Sequence, residues 1–394
     1  MTFVLSSQNV FDYLIEHGLC TTEDKANNKI ERKPAKNFNL LVTLLDGRKL
    51  LVKQEPRNRE GKTGGEFLRE WRVQELLQKF PELSQMRGLL PEAIHFNAED
   101  SIMVFNYLDN YRDVMDFYFK ENVFSTQIAT SIGKNIATIH RLTINRQDIN
   151  EFFSQQQENE SQTQENESPS SEENLGKELE RITPEIFGLL PSDGLKFFSL
   201  YQRYDSLGKA IAEVGSSMTP CCLTHNDLKL NNILLSNDWE EADVTRMVRF
   251  IDCERCMWGE PAFDLGTLIS SYLHIWLNSL VASKTMSIDE SLRMATTPLE
   301  MVQPSLIALV RGYFEEFPEI LEQYPEFLQR VMQFSGWMLI SFIQSTLQYQ
   351  KSFGNTGICM LQVAKSLLCR PEASITTIFG MQASELISTS LSPV

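Results

Sequence analysis

A short polar cluster held between apolar runs constrains this chain more than any other stretch. It reads His225-Asn226-Asp227-Leu228-Lys229-Leu230-Asn231-Asn232, continues into Ile233-Leu234-Leu235, and is answered by Met247-Val248-Arg249-Phe250-Ile251-Asp252. Short β-rich runs separated by a turn, here Ser236-Asn237-Asp238, read as the two strands of a hairpin. Asn232 then stands at the start of one strand and Asp252 at the end of its partner, so the two fall at the same end. The segment offers a carboxylate, a side-chain amide and a second carboxylate. Phosphoryl transfer from ATP asks for that set: one carboxylate to orient a hydroxyl and accept its proton, and an Asn and an Asp to hold Mg²⁺ on the phosphates. Taken singly, an Asp in a turn or an Asn before an apolar run is ordinary loop chemistry. The combination carries the reading.

The pattern H-x-D-x-x-x-x-N followed by I-D resembles the signature of the aminoglycoside phosphotransferase and choline kinase superfamily, the small-molecule branch of protein-kinase-like folds. His225-Asn226-Asp227 is similar to the opening common in choline and ethanolamine kinases. Ile251-Asp252-Cys253-Glu254, then Gly259-Glu260-Pro261-Ala262-Phe263-Asp264-Leu265-Gly266, resembles the family's I-D-x-E…G-x-P-x-x-D segment. The resemblance covers residues from about 30 to about 345 and is strongest at 223–266. It implies an α+β, bilobal protein-kinase-like fold with ATP in the cleft. Residues 1–107 would form a small β-rich N-terminal lobe with a nucleotide-binding sheet and one helix. Residues 108–394 would form a larger, mainly helical lobe that holds the catalytic hairpins.

The resemblance also implies roles. Asp227 is the expected catalytic base, and Asn232 and Asp252 the expected Mg²⁺ ligands, hard oxygen donors that leave room for phosphate and water. Glu254 is either a further ligand, a substrate contact or a surface carboxylate. His225 is expected to brace the loop. Asp264 resembles the buried Asp that steadies it, although a carboxylate there also suits a helix N-terminus. Lys53, ending Lys49-Leu50-Leu51-Val52-Lys53, resembles the phosphate-binding strand lysine. Its expected partner is Glu70, with Glu66 and Glu75 as rivals. The adenine is expected against Phe105-Asn106-Tyr107-Leu108, placing Phe105 and Tyr107 in the nucleotide site. Lys229 follows Asp227 in the Asp-Leu-Lys order of protein Ser/Thr kinases, where a cation could stabilise the transferring phosphate. One departure stands out: Arg32 to Asn39 contains no G-x-G-x-x-G, which leaves Asn37 and Asn39, beside Lys36, as phosphate contacts.

Elsewhere the pattern predicts a helix over 7–17 capped by Ser7 and stopped by Gly18. It predicts a hairpin over 38–53 around Asp46-Gly47, a helix from 66 to about 79, and strands near 93–96 and 101–107. Further helices are expected at about 125–144, 175–188, 193–214, 262–283, 303–316, 325–350 and 358–369. Residues 151–176 carry seven Glu and no Lys or Arg among Gln, Ser and Asn; such a stretch buries too little to order itself and reads as a disordered acidic insertion.

A net charge of −16 argues against a nucleic-acid partner and fits a cationic substrate. The longest apolar stretch, 265–282, is broken by polar residues and reads as a buried helix, not a membrane span. No opening leader is evident, and seven cysteines suit reduced thiols in a cytoplasm. Cys253 and Cys256 have metal or redox spacing without a second pair. The leading function is therefore an ATP- and Mg²⁺-dependent kinase for a small hydroxyl-bearing molecule: an amino alcohol, an amino sugar or aminoglycoside, or a related sugar. The alternatives are a kinase for Ser or Thr in a precursor peptide, supported by Lys229, and a silent pseudokinase, opposed by intact Asp227, Asn232 and Asp252.

Overall fold

The computed structural model describes residues 3–27, 29–161, 192–281, 286 and 288–388. The chain divides into two compact units, Met1–Asp116 with Asn231–Cys256, and Phe117–Leu230 with Met257–Val394. The boundary expected after residue 107 thus moves, and the 231–256 hairpin joins the first unit. The cause is local pairing: β6 (Tyr111–Asp113) runs antiparallel to β8 (Ile233–Ser236), which in turn pairs with β9 (Val248–Phe250). The Phe250 N–H is also given to the Leu89 carbonyl at 2.8 Å.

The first unit is built on a five-stranded antiparallel sheet in the order β1-β2-β3-β5-β4, from β1 (Lys29–Lys33), β2 (Phe38–Thr43), β3 (Lys49–Gln54), β4 (Ala93–Asn97) and β5 (Ile102–Asn106). The Asp46-Gly47 turn joins β2 to β3, with Gly47 at φ +87°, a left-handed value glycine adopts without a Cβ clash. Side chains alternate faces along a strand. Leu40, Val42, Leu50, Val52, Ile102 and Val104 accordingly form one core with Val10, Phe11 and Leu14 of α1 (Val10–Glu16). On the opposite face Met103 and Phe105 pack with Phe67 of α2 (Glu66–Lys79). Lys53 has the odd-numbered parity of that second face.

Helix α1 starts later than expected. Asn9, not Ser7, precedes it, and the Asn9 side chain accepts the Ser6 N–H at 2.7 Å. Gly18, at φ +70°, follows its end as predicted. Helix α2 begins after Gly65, which has no side chain to cap it. Glu55 supplies the cap instead, accepting the Glu66 and Phe67 N–H groups at 2.9 and 3.3 Å.

The second unit is mostly helix. Helix α3 (Thr126–Thr143) crosses α6 (Leu299–Glu316) so closely that a Cβ on Gly133 would lie 2.1 Å from the Leu309 carbonyl oxygen, and one on Gly312 2.7 Å from that of Thr130. Between these in sequence lie α4 (Gln147–Ser161) and α5 (Pro261–Asn278), and beyond them α7 (Phe327–Gln350) and α8 (Asn355–Cys369). Gly266 lets α5 approach α7 in the same way, a Cβ there meeting the Val331 oxygen at 2.8 Å. Two short strands, β7 (Cys222–Thr224) and β10 (Met257–Gly259), pair antiparallel.

Helix α4 corrects the expectation of disorder from residue 151: fully buried Ile149 and nearly buried Phe153 anchor it, a signal diluted when composition was averaged over 151–176. The rest of that insertion, and the whole of the expected 175–188 helix, lie outside the described residues. The expected 193–214 helix is two, Ser192–Tyr201 and Asp205–Ser216. Among the described residues no helix is long and apolar enough to cross a membrane.

Candidate active site

In the first unit the hairpin pairs Ile233 with Phe250, and the Ile251 N–H is given to the Asn232 carbonyl at 2.9 Å. Asn232 and Asp252 therefore flank the same hairpin end, as the sequence pattern required. Asp252 is held at φ 58°, ψ 56°, a left-handed conformation that costs a non-glycine residue about 1–2 kcal/mol. Its Oδ1 accepts from Lys53 Nζ at 2.8 Å, and the ammonium also lies 5.0 Å from the centre of the Phe105 ring.

This corrects the expected pairing of Lys53 with Glu70. Glu70 is 2% exposed, and its Oε2 has no hydrogen-bond partner among the described residues. Burial, only partly offset by the Lys53 charge, pushes the Glu70 carboxyl up to about 8. Burial alone would lower the Lys53 ammonium, but the charges of Glu70 and Asp252 outweigh it and hold the group above its ordinary range. The two rival acids are engaged elsewhere, Glu66 with Lys36 and Glu75 with the Trp71 indole at 3.1 Å.

Lys53, Glu70 and Asp252 line a cavity of about 320 Å³ together with Leu51, Phe105, Tyr107 and Leu108, at the lower end of the range for small-molecule sites. Along its wall the Asn106 N–H goes to the Glu92 carbonyl, that of Tyr107 to Lys49, and that of Asp109 to Tyr107. The Leu108 N–H has no partner among the described residues. Asn39 faces Lys53 directly across the β2–β3 ladder, and the Oδ1 atoms of Asn37 and Asn39 are buried without partners among the described residues. Glu254 is pushed up to about 6, by burial first and by the Glu66 charge second.

The donor set also tests the fit to a metal. Among the described residues no three His, Cys, Asp or Glu side chains could hold an ion unaided. One amide and one carboxylate at a hairpin end suit an ion that completes its shell with phosphate oxygens and water, as Mg²⁺ does.

In the second unit Asp264 is fully buried on the first turn of α5. It accepts the His225 N–H at 2.7 Å and the Asn226 N–H at 2.9 Å, and meets His140 Nε2 at 3.2 Å. His140 Nδ1 in turn meets the Tyr313 hydroxyl at 2.9 Å. Asn226 takes φ 59°, and Leu228 and Leu230 are fully buried, so the loop is pinned on both sides of Asp227. Asp227 Oδ1 lies 2.9 Å from Lys229 Nζ. Sequence reasoning missed His140. Its signal was spacing: it continues the buried series Ile128, Ile132, Ile136 on α3, where a histidine needs buried partners.

A model of the phosphotransferase enzyme family matches residues 37–285, well over half the chain. The chain belongs to that family. The matched span of this phosphotransferase runs from Asn37 past Lys53, Glu70, Asp227, Asn232, Asp252 and Asp264, and its fold is α+β and protein-kinase-like. No curated protein matches the chain. Among solved structures it is similar to a choline/ethanolamine kinase family protein from Mesorhizobium loti, at 14% identity and TM-score 0.40 over 90% of this chain and 93% of that one. It is similar to choline kinase LicA from Streptococcus pneumoniae at 17% and 0.38 over 92% and 98%. Amicoumacin kinase hAmiN, in complex with AMP-PNP, Ca²⁺ and Ami, aligns with the phosphotransferase at 12% and 0.44 over 91% and 93%.

Proposed function

We propose that this phosphotransferase moves the γ-phosphate of ATP, with Mg²⁺, to a hydroxyl of a small molecule, an amino alcohol, an amino sugar or a related sugar, in the cytoplasm. The observation that carries the reading is the uncommitted charge around Lys53: an ammonium on Asp252 beside a buried Glu70 oxygen with no partner among the described residues. Such an arrangement suits a polyanion. With phosphates present, Lys53 has oxygens and Glu70 to turn to, and Asp252 becomes available with Asn232 to hold Mg²⁺. The bound ion would neutralise charge on the phosphates. The Leu108 N–H gives the adenine a donor, with Phe105 and Tyr107 beside it.

Asp227 orients the acceptor hydroxyl and takes its proton, and Lys229 balances charge on the moving phosphoryl group. Asp264 positions that loop through two backbone N–H groups. The net charge of −16 supports a cationic acceptor. A second reading, a Ser or Thr hydroxyl in a peptide, is favoured by Lys229, whose ammonium meets Asp227 at 2.9 Å.

The test is labelled ATP with a metabolite extract and, separately, a peptide library. Label on a small alcohol that disappears with Asp227→Asn is the expected result, and label on peptide alone would favour the second reading. If calorimetry finds no binding of Mg-ATP to the wild-type chain, both are wrong.

A further inference from the structure

The second unit contains a cavity of its own, of about 460 Å³, none of whose lining residues has a role in the proposed reaction. Its floor is buried Cys221, Glu260, Pro261 and Phe327, and its rim is exposed Thr219, Gln323 and Pro325. The two charges in its inner wall are committed to each other, and the remaining one, Glu326, stands exposed at the rim. Arg330 Nε and Nη2 meet the two Glu260 oxygens at 2.7 and 3.1 Å, and the guanidinium also serves the Ser217 hydroxyl and the Val214 carbonyl. A ligand charge carried to the floor would have to break that pair. What remains is an apolar floor under a polar rim, the makeup of a small-molecule site.

Three routes lead from this lining to Asp264. Cys221 immediately precedes β7, which runs directly into His225. Glu260 and Pro261 start α5, and Asp264 follows within its first turn. Phe327 stacks on Tyr313 at 5.6 Å, and Tyr313 reaches Asp264 through His140. The structure thus joins the cavity floor to the carboxylate that holds the His225 and Asn226 N–H groups.

We propose that this cavity is an effector site for a small, uncharged, chiefly apolar molecule whose one polar end meets Thr219 and Gln323, and that filling it alters the loop bearing Asp227. The coupling runs through packed side chains and one buried carboxylate, and needs no knowledge of the acceptor.

Cys221 makes the cavity testable in the full chain. Its thiolate attacks the sulfenyl sulfur of benzyl methanethiosulfonate, forming a mixed disulfide and expelling methanesulfinate. The cavity then carries a benzyl group. Mass spectrometry should find Cys221 labelled and Cys222, which is fully buried, untouched. Benzyl alcohol should slow labelling at Cys221 but not at Cys369. Hydrogen exchange at the His225 and Asn226 amides should change roughly fivefold or more in the adduct, with amides of Phe334–Ile340 in α7 unchanged. Thr219→Trp, at the rim, should close the mouth and prevent labelling. Any of four results overturns the proposal: no adduct at Cys221, no protection by benzyl alcohol, an adduct that leaves exchange at 225 and 226 unaltered, or one that raises exchange throughout α7.

Discussion

The two units treat buried charge in opposite ways. Around Asp264 each carboxylate oxygen accepts a loop N–H and one also meets His140, whose other nitrogen meets Tyr313. Around Glu70 the account is left open, with one oxygen unpartnered among the described residues and the neighbouring ammonium on a different carboxylate. A satisfied network fixes geometry, and a half-satisfied one is poised for something that completes it. The contrast separates a region that positions from a region that receives.

The sharpest way to break the contrast is at the loop itself. Asp227→Asn should lower kcat by about 10²–10⁴-fold while leaving the melting temperature near wild type, because the loop is held by Asp264 and by Leu228 and Leu230. An equal loss of stability would show Asp227 to be part of the frame.

Next in size is Asp264→Asn. It turns an acceptor oxygen into an amide donor facing backbone N–H groups, at an expected cost of about 2–4 kcal/mol in denaturant titration. Near-neutral behaviour would mean that the network is dispensable.

Glu70 should respond in the other direction. Its carboxyl, at about 8 in the folded chain against an ordinary 4.5, takes up a proton on folding. Stability is therefore fullest below pH 4.5 and is lost as pH rises through 8, on the order of 5 kcal/mol. Glu70→Gln should flatten that slope without destabilising the free protein at pH 8, yet weaken Mg-ATP binding by about tenfold. Titrations of stability at several pH values, with calorimetry of nucleotide binding, would show it. An unchanged slope contradicts the open account.

The smallest effect belongs to Lys36→Ala. The exposed Lys36–Glu66 pair should be worth under about 1 kcal/mol, which restricts the contrast to buried groups.

Much of this was legible before any coordinates. The β8–β9 hairpin end, the Asp46-Gly47 turn and the 66–79 helix follow from period-2 and period-3.6 patterns and turn chemistry, all local properties. What failed was long-range. That Lys53 reaches Asp252 and not Glu70 depends on how a distant hairpin packs into the first unit, which no spacing encodes. Glu55 capping a helix across the 56–64 loop, and His140 beneath Asp264, are likewise choices of tertiary structure. Helix α4 was lost because an average over an acidic stretch outweighed Ile149 and Phe153. The strands β7 and β10 have three residues each, and β1, Lys29-Ile30-Glu31-Arg32-Lys33, has a single apolar residue, so their own residues announce little.

The Lys53–Asp252 contact has a bearing on order of arrival. A stray divalent ion approaching alone must displace an ammonium to reach the Asp252 carboxylate, whereas phosphate oxygens offer that ammonium another place to go. In the proposed reaction, ion and nucleotide would thus assist each other's entry, and the Lys53 ammonium would guard Asp252 against whichever loose metal is most abundant.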